Sequence, residues 1–170
     1  KRQMTPGETL REFCRTWFVQ RDAERTLAFL TEDVGFVGTG TDEMASGRQQ
    51  MAGYLAQDIR EIPEPFECDL SPIYEQPVSD GIYNMSADLT LKNSKYTWYL
   101  RAFFTLVLSG GEWLVKSFHV AEPASSQKDA EHYPGTLVME HTSRLRQELL
   151  NDSLPGGMMG GYIEDGFPFY

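Results

Sequence analysis

Four long β-prone segments, joined only by short turn sequences, fill the middle of this chain and constrain its fold more than any other feature. They run over residues 66–74, 81–91, 96–108 and 112–121. Proline, glycine, asparagine and serine residues separate them, as is typical of tight turns. Because connections this short leave no room for a crossover helix, the four segments predict an antiparallel meander.

Helix-prone segments precede these strands, with apolar residues spaced three and four positions apart. The predicted order is a helix over 9–20, a short helix from Asp22, a short strand over 34–38 and a helix over 46–59. Thr9 and Ser46 are the predicted N-caps, and Pro63 with Pro65 prevents the last helix from continuing. This order indicates an α+β fold in which the N-terminal helices pack on one face of a curved antiparallel sheet.

Composition limits the classes of function. A chain of 170 residues with 41% hydrophobic and 24% charged residues can form one well-packed core. Its formal net charge of -10 argues against nucleic acid and against anionic membranes as partners. No apolar run approaches the roughly 18 to 20 residues that span a bilayer, so we expect no membrane insertion. The two cysteines lack metal-site spacing, and a reducing cytoplasmic location without a metal is expected.

The end of the chain has a different character. A helix-prone run over 136–151 carries a short heptad seam of apolar and small residues. The residues of that seam are Val138, Thr142, Leu145 and Leu149. Two readings stay open: a parallel coiled coil between two chains, or a helix packed on its own domain. Glycine, proline and two strand-like pieces follow in 154–170.

The element order, ending in the strand 113–120, resembles the SnoaL-like branch of the nuclear transport factor 2 superfamily. The pieces that carry the resemblance are 13–22, 36–40, 47–51, 101–105 and 118–120. The resemblance implies an NTF2-like, cystatin-like cone, in which helices and a curved sheet enclose a pocket, over a domain at 1–125. Members of this superfamily include isomerases, hydrolases, cyclases and non-catalytic binders, so fold alone does not select an activity.

A second resemblance concerns the tail. Residues 149–157, followed by 166–170, look like the entry into a PAS sensory domain. The resemblance implies a linker with a signalling helix over 126–153 and a truncated start of a PAS domain over 154–170. The implied parent is a bacterial signal-transduction protein with a downstream histidine kinase or cyclic-dinucleotide output domain.

Six residues are candidates for lining a ligand pocket. Aromatic and polar side chains that share a strand face or border the cone qualify, because binding pockets combine apolar walls with a few polar groups. The candidates are Trp17, Tyr54, Tyr99, Arg101, Phe103 and His119. His119 is predicted to share a strand face with Trp113, Val115 and Ser117.

Each candidate also has a purely structural interpretation. The aromatic residues fit a core, His119 fits a hydrogen-bonded core histidine, and Arg101 fits an ion pair or a subunit interface because a guanidinium there needs a partner. The carboxylates of Asp33, Asp42, Glu43, Asp58 and Asp88 show no evident catalytic motif. No catalytic residue, cofactor or metal ligand is therefore assigned.

The function predicted from these patterns is a non-catalytic sensory or dimerisation module. It would bind an unknown small molecule in the cone, form a homodimer, and relay the bound state through the 136–151 helix to a PAS domain. The alternative is an enzyme of the isomerase, polyketide cyclase or hydrolase type that uses the same cavity. A buried carboxylate or histidine beside the pocket would favour the enzyme.

Overall fold

A six-stranded sheet organises the part of the chain that the computed structural model describes, residues 2–123. Its strands are β1 (Leu30–Val37), β2 (Met44–Ser46), β3 (Glu67–Ser79), β4 (Ile82–Lys92), β5 (Thr97–Ser109) and β6 (Glu112–Ala121). The last four form the predicted antiparallel meander, and the strand order is β2-β1-β6-β5-β4-β3. The α+β fold class is confirmed.

The first two strands extend the sheet beyond β6, and the sequence did not predict this arrangement. β1 runs parallel to β6, with Phe36 opposite Phe118 and Val37 opposite His119. β1 also begins four residues before the predicted strand at 34–38. β2 was not predicted, because three residues are too few for a period-two pattern to be recognised.

The first helix begins earlier than predicted. Helix α1 spans Pro6–Cys14 and is capped by Thr5, not Thr9. The Thr5 hydroxyl accepts from the Glu8 backbone amide at 3.1 Å, and the Glu8 carboxylate accepts from the Thr5 amide at 2.9 Å. This capping box satisfies two free donors of the first turn. Thr9 is buried, and a π-helical turn over Arg15–Val19 continues the apolar stripe.

The other two helices match their predictions more closely. Helix α2 spans Ala23–Leu27, and Asp22, the predicted first residue of this helix, is its N-cap. Helix α3 spans Arg48–Glu61 and ends before Pro63. Its N-cap is Gly47, with φ 89°, instead of the predicted Ser46, which lies in β2. Glycine suits this position because a side chain is strained at such a backbone angle.

The core lies between the helices and the inner face of the sheet. Alternate residues of β4 and β5 point inward, as the strand pattern predicted, and their apolar side chains meet the stripe of α1. The inward residues are Met85, Ala87, Leu89, Leu91, Ala102, Phe104 and Leu106, all buried. Phe13 of α1 contacts the rings of Phe104 and Phe118 edge-on, at centroid distances of 6.4 and 5.6 Å.

The predicted signalling helix over 136–151 and the predicted start of a PAS domain over 154–170 lie outside the described residues. None of the helices within residues 2–123 is long and apolar enough to cross a membrane.

Candidate functional site

Aromatic rings fill the part of the cone around Trp17. This indole is only 4% exposed and stacks on Phe18 with centroids 4.4 Å apart. It meets Phe36, Tyr54 and Phe118 edge-on at 5.9 to 6.3 Å. Such edge-on contacts are a favourable arrangement for aromatic pairs. Trp17 therefore belongs to the core as well as to the inner wall of the cone.

An ion pair between Arg21 and Asp58 borders this aromatic cluster. Asp58 of α3 accepts a hydrogen bond from the Trp17 indole N–H at 2.9 Å and forms an ion pair with the Arg21 guanidinium at 3.1 Å. The Arg21 side chain is only 4% exposed and also donates to the backbone carbonyls of Trp17, Asp58 and Ile62. With these partners, Arg21 and Asp58 join the first helical segment to the end of α3. The bonds to Asp58 compensate the charge that burial would otherwise penalise.

Tyr54 lies one helical turn before Asp58 and carries the second polar group of the cone. Its ring packs on Phe36 at a centroid distance of 4.8 Å. Burial, together with the negative charges of Glu43 and Asp58, raises the pKa of Tyr54 above its usual value. Glu43 in turn accepts from the Gly40 amide at 2.9 Å. Tyr54 thus stays protonated at neutral pH and remains a hydrogen-bond donor.

The opposite face of the sheet is not covered by the described helices. One row of cross-strand partners crosses this open face from edge to edge. The row consists of Met44, Val37, His119, Phe103, Ser86 and Tyr74. Met44 and Tyr74 are 67% and 65% exposed, and Phe103 is 44% exposed. Large apolar side chains thus line the open face.

The position of His119 on this face differs from the prediction. A bulge at Lys116 shifts the register of β6 against β5, so that Ser117 pairs with Thr105 but Val115 pairs with Leu106. The extra residue reverses the alternation of side chains. Val115 is therefore buried in the core, whereas Ser117 and His119 lie on the open face. The predicted common face of His119 with Trp113 and Val115 was wrong.

The six pocket candidates divide between the two faces and do not form one pocket. Trp17 and Tyr54 lie inside the cone, and the other four lie on the open face. Tyr99 is 68% exposed. Arg101 finds the acidic partner that the sequence required, because its Nε donates to Asp88 Oδ1 at 2.9 Å across the β4–β5 pair. Whether any of the six binds a ligand stays a prediction.

A shallow apolar depression of about 370 Å³ lies on the open face. Gly35 and Ser117, which are cross-strand partners, contribute no large side chain there. The lining residues are Gly35, Phe36, Val37, Met44, Ala45, Phe103, Ser117, Phe118 and His119. Two of the pocket candidates, Phe103 and His119, thus border a concave surface, but on the outside of the cone. Within residues 2–123, no group of three acidic, histidine or cysteine side chains is arranged to hold a metal ion.

Residues 8–125 identify the family to which the domain belongs. The model of the SnoaL-like domain matches residues 8–125, which is more than half of the chain. The chain belongs to the SnoaL-like family. No curated protein matches its sequence significantly.

Solved structures share the fold of this SnoaL-like domain. An NTF2-like protein of unknown function from Pseudomonas putida has a TM-score of 0.62 and 12% identity, covering 70% of this chain and 84% of that one. A candidate scytalone dehydratase from Novosphingobium aromaticivorans has a TM-score of 0.60 and 17% identity, with 75% and 86% covered. A candidate calcium/calmodulin-dependent protein kinase type II association domain from Thiobacillus denitrificans has a TM-score of 0.59 and 13% identity, with 71% and 97% covered. The NTF2-like, cystatin-like fold is therefore confirmed.

Sequence reasoning missed the connection between Arg21, Asp58 and Trp17 in this SnoaL-like domain. Asp58 was considered alone, and Arg21 was not singled out. Arg21 has φ 54°, which is uncommon for a residue other than glycine and turns its side chain back over α3. The spacing of Trp17 and Arg21, one helical turn apart, is the only local signal that could have linked them.

Proposed function

We propose that this SnoaL-like domain is a non-catalytic dimerisation module of a sensory protein, and that two copies pair through the open face of the sheet. The observation that carries the proposal is the row of exposed apolar side chains across that face. Large apolar surfaces left in contact with water are typical of protein interfaces. Phe103 stands in the middle of the row, flanked by His119 on β6 and Ser86 on β4.

The size of the open face agrees with a stable pair. Six strands about 4.8 Å apart, with a mean length of about ten residues rising 3.3 Å each, give a face of roughly 24 by 33 Å, or about 800 Å². A standard interface buries about 800 Å² on each partner. One copy of the open face therefore offers about the area that a specific dimer requires.

The charges on this face suit a second copy. Asp88 and Arg101 place both signs side by side near the middle of β4 and β5. In a two-fold pair, the same patch meets itself, and a patch that contains both signs can be complementary to itself. The Thiobacillus denitrificans structure, named as an association domain, supports the view that this fold is used for assembly.

The exit of the chain from the sheet supports a relay to the segments that follow. β6 is a central strand of the sheet. Its last residue, Ala121, is the cross-strand partner of Arg101 on β5. In a face-to-face pair whose two-fold axis runs along the strands, both copies of β6 end on the same side of the dimer, as a parallel pair of 126–153 helices requires. The input in this proposal is a small molecule of unknown identity. It must bind one arrangement of the two copies more tightly than the other.

Sedimentation of the full chain at tens of micromolar tests the pairing. Wild type is expected to sediment as a dimer, and Phe103→Glu as a monomer, because the variant buries a charge at the centre of the interface. Met4→Glu is the matched control, since Met4 is also an exposed apolar residue, 38% exposed, but lies ahead of α1. A monomeric wild type, or a dimer unaffected by Phe103→Glu, would contradict the proposal.

One observation favours an enzyme as the second candidate. Tyr54 is a protonated phenol beside two carboxylates inside the cone, and a fold neighbour carries the name of a dehydratase. A phenol held in this way can donate a hydrogen bond to a substrate oxygen and stabilise the negative charge that develops there during a reaction. Turnover of a small hydroxy or carbonyl compound that Tyr54→Phe abolishes, without loss of folding, would support the enzyme over the non-catalytic module.

A further inference from the structure

His119 lies next to the centre of the open face, as the cross-strand partner of Phe103. In the strand order, three strands lie on the β6 side and three on the β5 side of the line between β6 and β5. His119 of β6 and Phe103 of β5 are cross-strand partners across that line. Phe103 is also the middle residue of β5, which spans Thr97–Ser109. The residues that dominate binding cluster near the centre of an interface, where water is excluded most completely.

Apolar side chains flank His119 on both neighbouring strands of its row. Its cross-strand partners are Phe103 on β5 and Val37 on β1, and Met44 of β2 follows in the same row. The neighbouring charged side chains already have partners. Arg101 pairs with Asp88, Lys116 with Asp33, and Glu32 with Arg48. Each of these carboxylates already has a positively charged partner, so none of them is available to compensate a positive charge on His119.

We infer that protonation of His119 dissociates the dimer, so that the open face acts as a pH-sensitive interface. The inference rests on the proposed function, because it concerns the same surface. In a two-fold pair, groups at the centre of the patch approach their own counterparts. A proton on each His119 would place two like charges together in an apolar contact, and burial already disfavours the charged form of histidine.

The sign of the effect follows from proton linkage. The paired state binds fewer protons than the separated copies, so pairing weakens as the pH falls. Histidine side chains as a class gain their charge between pH 8 and pH 5. Between pH 7.5 and 5.5, the dissociation constant is therefore expected to rise about tenfold if one proton is excluded and about 100-fold if both are.

The experiment measures the dimer dissociation constant of the full chain at pH 7.5 and 5.5 by analytical ultracentrifugation, with circular dichroism to verify folding. His119→Gln keeps a polar side chain without a titrating charge and is expected to dimerise equally at both pH values. His119→Arg carries a permanent charge and is expected to be monomeric at both. The matched control replaces the two other histidines, as the double variant His132→Gln, His141→Gln, and is expected to keep the wild-type pH dependence.

Each outcome separates the inference from the proposed function. A wild-type dimer with the same dissociation constant at both pH values overturns the inference and leaves the dimer intact. A monomer at both pH values contradicts the proposed function itself, and the inference with it. A pH dependence that survives in His119→Gln but disappears in the double variant overturns the assignment to His119.

Discussion

At the scale of single residues, Asp58 shows how environment decides the role of a side chain. From the sequence it is one of many carboxylates, whereas in the fold its Oδ2 atom accepts a hydrogen bond from Trp17 and forms an ion pair with Arg21. Arg21 is nearly inaccessible, so its charge depends on this partner. A carboxylate engaged in this way stabilises the fold.

Asp58→Asn tests this role. The variant removes the charge that compensates Arg21, and we expect the free energy of unfolding to fall by about 2–4 kcal/mol. Urea unfolding followed by tryptophan fluorescence measures the change. Asp88→Asn is the control, because the Asp88–Arg101 pair is 43% and 64% exposed and its loss should lower the free energy of unfolding much less. Equal losses in the two variants would argue against a special role for Asp58.

Arg101 illustrates how far residue-level prediction reached. Its need for an acidic partner was predictable from chemistry, and Asp88 meets that need. Its alternation with Ala102 and Phe104 was predictable from strand geometry, and those two residues are buried as expected. The sequence left open which of the two sheet faces the helices would cover at this point, and hence whether Arg101 would face the cone.

At the scale of elements, the backbone angle of Gly47 sets the start of helix α3, which side-chain periodicity did not locate. A helix over 46–59 was predicted from its apolar spacing, and its start was assigned to Ser46 because serine is a common N-cap. The chain instead turns at Gly47, whose amide donates to the Val34 carbonyl at 2.7 Å. A positive φ leaves no direct trace in the apolar pattern.

Two glycines of the same region provide a matched test of this turn. Gly47→Ala should lower the free energy of unfolding by about 1–3 kcal/mol, because alanine is strained at φ 89° and ψ 156°. Gly53→Ala should raise it by about 0.5–1 kcal/mol, because Gly53 lies inside helix α3 with no neighbour within 4 Å of the added methyl group. Thermal unfolding of both variants measures the difference. Opposite signs are required, and destabilisation by both would contradict the assigned helix start.

The bulge on β6 is the second element-scale feature that mattered for function. Strict alternation from Trp113 would have placed His119 in the cone, and one additional residue at Lys116 moved it to the open face. The same strand therefore supplies Phe118 to the core and His119 to the proposed interface.

At the scale of the whole molecule, β6 connects the two halves of the sheet. It pairs antiparallel with β5 and parallel with β1, and the Val115 amide also donates to the Phe29 carbonyl at 2.8 Å. Without β6, the β1–β2 pair would lose its connection to the meander.

Truncation of the chain tests this dependence. A chain that ends at Gly111 lacks β6, and we expect it to show no cooperative thermal unfolding, because both β1 and β5 lose a neighbour and part of the core is exposed. A chain that ends at Pro123 retains all six strands and is expected to unfold cooperatively. Circular dichroism measured against temperature compares the two. Cooperative unfolding of the shorter chain would show that β6 is dispensable.

The sequence alone determined the α+β class, the four-stranded meander, the family and the alternation of side chains along β5, because turn residues and side-chain periodicity act between near neighbours. Only the tertiary structure decided the parallel β1–β6 pairing, the Trp17–Arg21–Asp58 cluster and the placement of His119 outside the cone. These features depend on contacts between distant segments and on a one-residue register shift. Packing and hydrogen bonding across the whole sheet determine these contacts and this register shift, and no local sequence pattern predicts them.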